Sequence, residues 1–384
     1  MQSPSEAAYM SLKMPGSSIP SALARALPRA AICAGLIVAA APAIARAEPP
    51  GLDTTRHLSM GRSSRASSWG GGAVMINPAS MGLSPTFSIE PAYQVKVENQ
   101  THSAGLAIMD SLNNERLAIG LSYAFLYGSP KVTFRSSEGL EKDVDLRHLG
   151  HEVGLAVAVN VLPGWLSIAV KPKYQYTQLS FEVAGERFDA NKLHNSFGLD
   201  LSLQLVIRQW VSVAIMGNNL AGAHQPAYTD LRALTLDPHD VNYETLDPTN
   251  VRRISDYPRT LAHAIAVFPT RNPGFSINFD GTYDFTSYWR EEDDQPKVVR
   301  MTMGGGAEYT VGPVPIRAGG YWDSRGSDPD RGYISGGLGF LKRAEPGGVG
   351  VDIGVGFLRQ IAGPYPETFI GAHVAILLWP QVGK

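Results

Sequence analysis

Phe275-Ser276-Ile277-Asn278-Phe279-Asp280-Gly281-Thr282-Tyr283-Asp284 decides the fold class. Side chains along a β-strand alternate between two faces. This stretch therefore puts Phe275, Ile277, Phe279 and Tyr283 on one face. Ser276, Asn278, Asp280, Thr282 and Asp284 share the other. The same pattern recurs along the chain. Leu117, Ile119, Leu121 and Tyr123 stand against Ala118, Gly120 and Ser122. Val153, Leu155, Val157 and Val159 stand against Gly154, Ala156 and Ala158, and Leu199, Leu201, Leu203 and Leu205 stand against Asp200, Ser202 and Gln204. From Phe87 to Trp379 about fourteen such segments follow one another.

The gaps between segments alternate in length. Tight connections fall at Leu162-Pro163-Gly164, Arg208-Gln209-Trp210, Pro269 to Pro273 and Gly312-Pro313. Long polar ones fall at Gly128 to Gly150, Val183 to Leu193, Ala221 to Tyr257 and Ser287 to Lys297. Two solvents could explain the two-faced strands. A soluble sandwich buries its apolar face, whereas an outer-membrane barrel turns that face to lipid and keeps polar residues in the lumen. Short turns on one side and long loops on the other favour the barrel. Tryptophan placement agrees, with Trp165, Trp210 and Trp379 at the tight-turn side and Trp289 and Trp322 at the other, as two interfacial girdles require. The glycines inside the strands (Gly304 to Gly306, Gly319, Gly320, Gly336, Gly337, Gly354, Gly356) suit tight curvature or close approach to a plug.

The N-terminus reads as an export signal. Arg25 and Arg29 precede the apolar run Ala30 to Ile44, which is too short to span a bilayer and ends in Ala45-Arg46-Ala47. Cleavage there removes Lys13, Arg25, Arg29, Arg46 and Glu6, leaving 29 basic against 34 acidic residues, net −5. That balance gives no reason to expect nucleic-acid binding. The one cysteine, Cys33, lies within the signal, so the mature chain has no disulfide framework. The expected organisation is a signal peptide over residues 1–47, an N-terminal segment over 48–85, a barrel over 86–379 and a tail over 380–384. The fold class is all-β, a transmembrane antiparallel β-barrel of about fourteen strands with an N-terminal hatch or plug.

Residues 48–85 are rich in Gly, Ser and Arg and show no strand pattern. Trp69, Val74, Met75 and Ile76 nevertheless need cover, and Asn77-Pro78 is a turn signal just before the first strand. A plug folded into the lumen satisfies both. Asn77-Pro78-Ala79, after a Gly/Ala run and before the first strand, resembles the NPA motif of the FadL-type outer-membrane transporters. Gly306-Ala307-Glu308-Tyr309 with Pro315-Ile316-Arg317-Ala318-Gly319-Gly320-Tyr321 is similar to paired strands near that family's C-terminus. Met216-Gly217-Asn218-Asn219-Leu220 and Tyr257-Pro258-Arg259-Thr260-Leu261 resemble its PorV-like branch. The resemblance implies a hatch inside a fourteen-stranded barrel. It also implies passage of hydrophobic small molecules such as long-chain fatty acids or hydrocarbons. The PorV-like branch instead implies a docking or shuttle role in protein secretion, and a purely structural surface barrel stays open as well.

The expected hatch and ligand residues are Trp69, Val74, Met75, Ile76, Asn77, Pro78 and Ala79. Alternation turns Glu90, Lys96, Glu98, Lys171, Lys173, Asp200, Asp280, Asp284, Arg300, Glu308, Arg317, Asp323 and Asp352 into the lumen, where they anchor a hatch, bind a polar head group or neutralise one another. Glu308 and Arg317 lie on strands joined by the Gly312-Pro313 turn, which makes them the favoured pair. His373 faces the lumen and His263 the lipid. No nucleophile elbow or zinc motif occurs, so no enzyme activity, metal or cofactor is expected. The acidic clusters Glu291 to Asp294, Asp237 to Asp240 and Asp328 to Asp330 read as solvated loops. Expected partners are outer-membrane lipid and lipopolysaccharide and a hydrophobic small-molecule ligand, with a monomeric chain in the cell outer membrane.

Overall fold

The computed structural model describes residues 53–379, apart from 99–100, 113, 115, 129–130, 136–140, 184–185, 190–194, 222–226, 229–252, 255–258, 272–273, 285–299, 325–329, 343–347 and 364–366. The signal peptide, the C-terminal tail, Trp289, the first two acidic clusters and most of Ala221 to Tyr257 and Ser287 to Lys297 lie outside the described residues.

Fourteen strands build the wall. In chain order they are β1 (Phe87–Lys96), β2 (Thr101–Asp110), β3 (Leu117–Gly128), β4 (Glu141–Leu162), β5 (Leu166–Val183), β6 (Asn195–Ile207) and β7 (Val211–Asn218). Then come β8 (Thr260–Val267), β9 (Phe275–Asp284), β10 (Arg300–Val311), β11 (Val314–Ser324), β12 (Arg331–Lys342), β13 (Val349–Ala362) and β14 (Thr368–Leu378). Each pairs antiparallel with its neighbours in sequence, and β1 pairs with β14 from Phe87↔Leu378 to Lys96↔Phe369, which closes the sheet. Closure leaves no row of unpaired N–H and C=O groups, a requirement in hydrocarbon. Two short strands, Lys131–Arg135 on β4 and Glu186–Asp189 on β5, extend the sheet beyond the barrel.

Burial shows which solvent surrounds the strands. The large apolar side chains point out, with Ile119, Leu155, Val355 and Ile376 47–54 % exposed, while Ala118, Ala156 and Ala158 on the opposite face are fully buried. An exterior this apolar fits lipid and not water. Trp165 and Trp210 stand at the tight-turn end, Trp379 follows β14 at that end, and Trp322 lies near the opposite end of β11. Arg271 covers the Trp210 ring at 4.5 Å.

Loop lengths alternate less strictly than the sequence suggests. On the long-loop side, β1–β2 and β13–β14 are joined by residues 97–100 and 363–367 only. The gap read from Gly128 to Gly150 is largely strand, because β4 starts at Glu141 and pairs with Lys131–Arg135. Polar residues on both faces hide such strand extensions above the membrane, since water solvates both sides there. Replacing outward-facing Val355 by Arg is expected to lower barrel stability by about 2–4 kcal/mol, the cost of a cation near the bilayer midplane. Urea unfolding in lipid vesicles measures it.

Candidate functional site

Residues 53–86 run inside the barrel. Thr54 caps α1 (Thr55–Ser59) by accepting the His57 backbone N–H at 3.2 Å. A 3₁₀ turn follows at Arg65–Ser67, then α2 (Gly71–Ile76) and a second 3₁₀ helix at Pro78–Leu83. Two kinds of wall receive this segment.

Against β10–β13 the backbone itself makes the contact. A Cβ added at Gly306 or Gly319 would strike the main chain of Met60, and one at Gly337 or Gly356 would strike the Ser59 hydroxyl. Gly61, at φ +62°, fits against Gly320 and Gly304, and its N–H donates to Ser335 Oγ at 2.7 Å. The glycines thus form a trough for one chain.

Against β2–β5 the contact is apolar. Ala73, Val74, Ala79 and Met81 are fully buried on Ala107, Met109, Ala118, Ala156, Ala158 and Ala169, with Met75 packed at the edge. Ala side chains on the wall leave room for a helix while covering its apolar stripe.

Charges tie the segment down. Arg56 binds Glu308 through both carboxylate oxygens at 3.0 Å, and Arg317 Nε donates to Glu308 Oε2 at 2.6 Å. Glu308 and Arg317 are directly opposite in the β10–β11 ladder. The Arg65 backbone N–H and its guanidinium both reach Asp280 Oδ2, at 3.1 and 3.2 Å. Two barrel residues hold α2: Glu90 accepts the Gly72 N–H at 3.0 Å, and Lys171 donates to the Val74 carbonyl at 3.2 Å. Each of these two precedes a proline, Pro91 and Pro172. Around those prolines the β1–β14 and β4–β5 ladders each skip two residue pairs, because proline brings no N–H.

Of the other sequence candidates, Asn77 donates to Gln204 Oε1 at 2.6 Å and to the Arg65 carbonyl at 2.9 Å, while the Ala79 N–H donates to Ser202. Pro78 opens the second 3₁₀ helix. Lys173 pairs with Asp200 at 3.0 Å and with Glu152 at 3.6 Å, and Asp352 with His373 at 3.3 Å. Asp284 and Asp323 are buried on the inner face. The Arg300 side chain lies outside the described residues. Glu98 departs from the expected lumen position: it stands exposed beyond the end of β1 and accepts from Thr368, because the strand ends at Lys96. His263 lies on the outer face, stacked on Tyr283. Sequence reasoning missed Arg56, Arg65, Gln204 and Glu152 as anchors. For Arg56 and Arg65 the available signal was the repeated arginine of a Gly/Ser-rich segment; for Gln204 and Glu152 it was their inward strand parity.

A cavity of ≈ 20 Å³ lies between the segment and the wall, lined by Arg56, Trp69, Ile76, Glu90, Asp352 and His373 among others. Its size and polarity suit water. It is not an apolar pocket for a hydrocarbon.

His57 is buried in the segment, its Nδ1 accepting the Ser64 N–H at 3.1 Å. Burial, with Arg65, Arg62 and Arg56 nearby, holds its pKa well below the ordinary 6.5. Above that value both packed and released forms are neutral and nothing changes. Below it the released form binds a proton that the packed form refuses, so packing weakens as pH falls, by up to about 1.4 kcal/mol per unit. Protease cleavage of the segment, measured from pH 7.5 to 5, is expected to rise in the wild type and to flatten in His57→Gln.

No protein-family model and no curated protein matches the sequence. Solved structures do. The Pseudomonas putida toluene transporter TodX superposes with a TM-score of 0.57 at 12% identity, covering 88% of this chain and 100% of that one. The Ralstonia pickettii toluene transporter TbuX gives 0.56 at 14%, over 86% and 99%. A Pseudomonas aeruginosa FadL homologue gives 0.53 at 12%, over 88% and 99%. At such identities the likeness is one of architecture. With its closed fourteen-stranded antiparallel barrel, the chain has the FadL-type fold.

Proposed function

We propose that the protein is an outer-membrane channel for hydrophobic small molecules, with residues 53–86 acting as its hatch. The observation that carries this reading is the way the lumen is filled. One chain segment seats on an alanine wall and a glycine trough and is fastened by the Arg56–Glu308–Arg317 and Arg65–Asp280 ion pairs. Such fastenings release when a few groups shift, whereas a covalently continuous wall does not. TodX and TbuX are described as toluene transporters, and toluene is accordingly the first substrate to try. The cavity beside the hatch is too small for such a molecule, and in this reading the hatch moves to let it pass. Hydrolytic chemistry has no place in this reading, since His373 and His57 each serve a buried hydrogen bond.

Cells carrying the protein are expected to take up radiolabelled toluene or oleate faster than a deletion strain. Unchanged uptake in both would overturn the reading. In planar bilayers Glu308→Gln is expected to raise conductance and the frequency of opening. The substitution leaves two buried arginines without their carboxylate, at a cost of about 3–5 kcal/mol to the hatch seat.

A further inference from the structure

The outer end of the lumen holds an aromatic site that the inner segment itself fills. Tyr321 on β11, Tyr333 on β12, Leu358 on β13 and Phe369 on β14 stand near the long-loop ends of their strands, buried on the inner face. Leu58 of α1 packs against all four. Arg62 then lays its guanidinium over the Tyr321 ring at 5.0 Å and the Phe369 ring at 5.5 Å, and its Nη1 donates to Tyr321 Oη at 3.4 Å. Two aromatic faces on one cation is the chemistry by which proteins recognise organic cations.

The backbone is turned to deliver that side chain. Gly61 follows α1 in the left-handed region, and the Arg62 N–H donates to the His57 carbonyl at 2.8 Å, which closes the helix end. Arg62 itself stands at φ +56°, a conformation that residues with a Cβ adopt at a cost. The strained residue is the one that reaches the rings.

Arg62 is also held differently from its neighbours in the segment. Arg56 and Arg65 reach carboxylates of the wall, Glu308 and Asp280, so leaving the wall strands a buried charge. Arg62 pairs through Nε with Asp53 Oδ2 at 2.7 Å, a carboxylate of its own segment. It can leave the rings and keep that partner. On the wall, Lys96 stands over Phe369 at 5.5 Å and is held by Glu367 at 2.7 Å, which also takes Arg331 at 2.6 Å. Asp323 is opposite Arg331 in the β11–β12 ladder. Two cations thus face two carboxylates around the rings, and the wall carries no excess positive charge to repel another cation.

We propose that Tyr321 and Phe369 form a binding site for organic cations with an apolar body, and that Arg62 is its tethered competitor. A guanidinium or ammonium entering from the outer mouth takes the ring faces, and its apolar body lies toward Tyr333 and Leu358. Arg62 swings out with Asp53, and the outer end of the segment loses its hold on β11 and β14. The ligand class differs from hydrocarbons and fatty acids, which carry no positive charge. Only the effect on opening rests on the hatch reading; binding does not.

The test uses the full mature chain refolded in non-ionic detergent and titrated by calorimetry with 2-phenylethylguanidinium and with 2-phenylethylurea, planar analogues that differ in charge. Arg62→Ala is expected to bind the guanidinium at least tenfold more tightly than the urea, and several-fold more tightly than the wild type does. Adding Tyr321→Leu and Phe369→Leu to Arg62→Ala is expected to abolish the preference, and Phe369→Leu alone, a milder change, to reduce it several-fold. Heat-dependent gel migration establishes that each variant folds. Equal binding of the two analogues by Arg62→Ala, or a preference that survives loss of both rings, would overturn the site. Equal affinity of wild type and Arg62→Ala for the guanidinium would overturn the competition. In planar bilayers the guanidinium is expected to raise the opening frequency of the wild type, and an unchanged frequency would overturn the release of the segment. Uptake of toluene or oleate enters none of these measurements, so the channel reading and this one fail separately.

Discussion

Everything in this molecule depends on closing the backbone ladder between Phe87–Lys96 and Thr368–Leu378. In hydrocarbon an unpaired peptide group costs several kcal/mol, so a sheet can exist there only without edges. Once the first and last strands pair, the face of every residue is set by parity. The outer parity has to be apolar. The inner parity is relieved of that demand and becomes available for glycine, alanine and charge.

The inner face uses that freedom in two ways. Along β10–β13 side chains are deleted, so that Met60 and Gly61 approach the wall as bare backbone. Along β2–β5 side chains are reduced to alanine, and α2 through Val74 and the second 3₁₀ helix through Met81 lie on them. Buried ion pairs in such a place add little net stability, because desolvation offsets their attraction. They contribute specificity of seating. Arg56 fits where Glu308 waits between strands, and a slipped segment would leave the Arg56 guanidinium without its carboxylate and Glu308 with Arg317 alone. A seat that is specific and only moderately tight accords with the hatch role proposed for it.

Much of this was legible in the residues. The period-two pattern of β9 and its repeats fixed the strand type, and tryptophans at both ends of the strands separated membrane from water. The strand-interior glycines pointed to close approach. Less legible were the upper ends of β4 and β5, where water on both faces erases the alternation, and the short spacings between β1 and β2 and between β13 and β14, which break the rhythm of loop lengths. The anchors divide in the same way. Glu308 and Arg317 could be paired from a hairpin register, since a two-residue turn determines which residues oppose. Arg56 could not be joined to Glu308, because 252 residues separate them and no local rule spans that distance.

By itself the sequence determined the strands, their faces and their order, because those follow from local alternation and short turns acting on neighbouring residues. Only the tertiary structure decided which charges meet across the lumen, that the space beside Trp69 is small, and that Arg62 meets the rings of Tyr321 and Phe369. Those facts arise when β14 returns to β1 and the inner segment lies within the ring. Closure brings together residues that no periodicity relates.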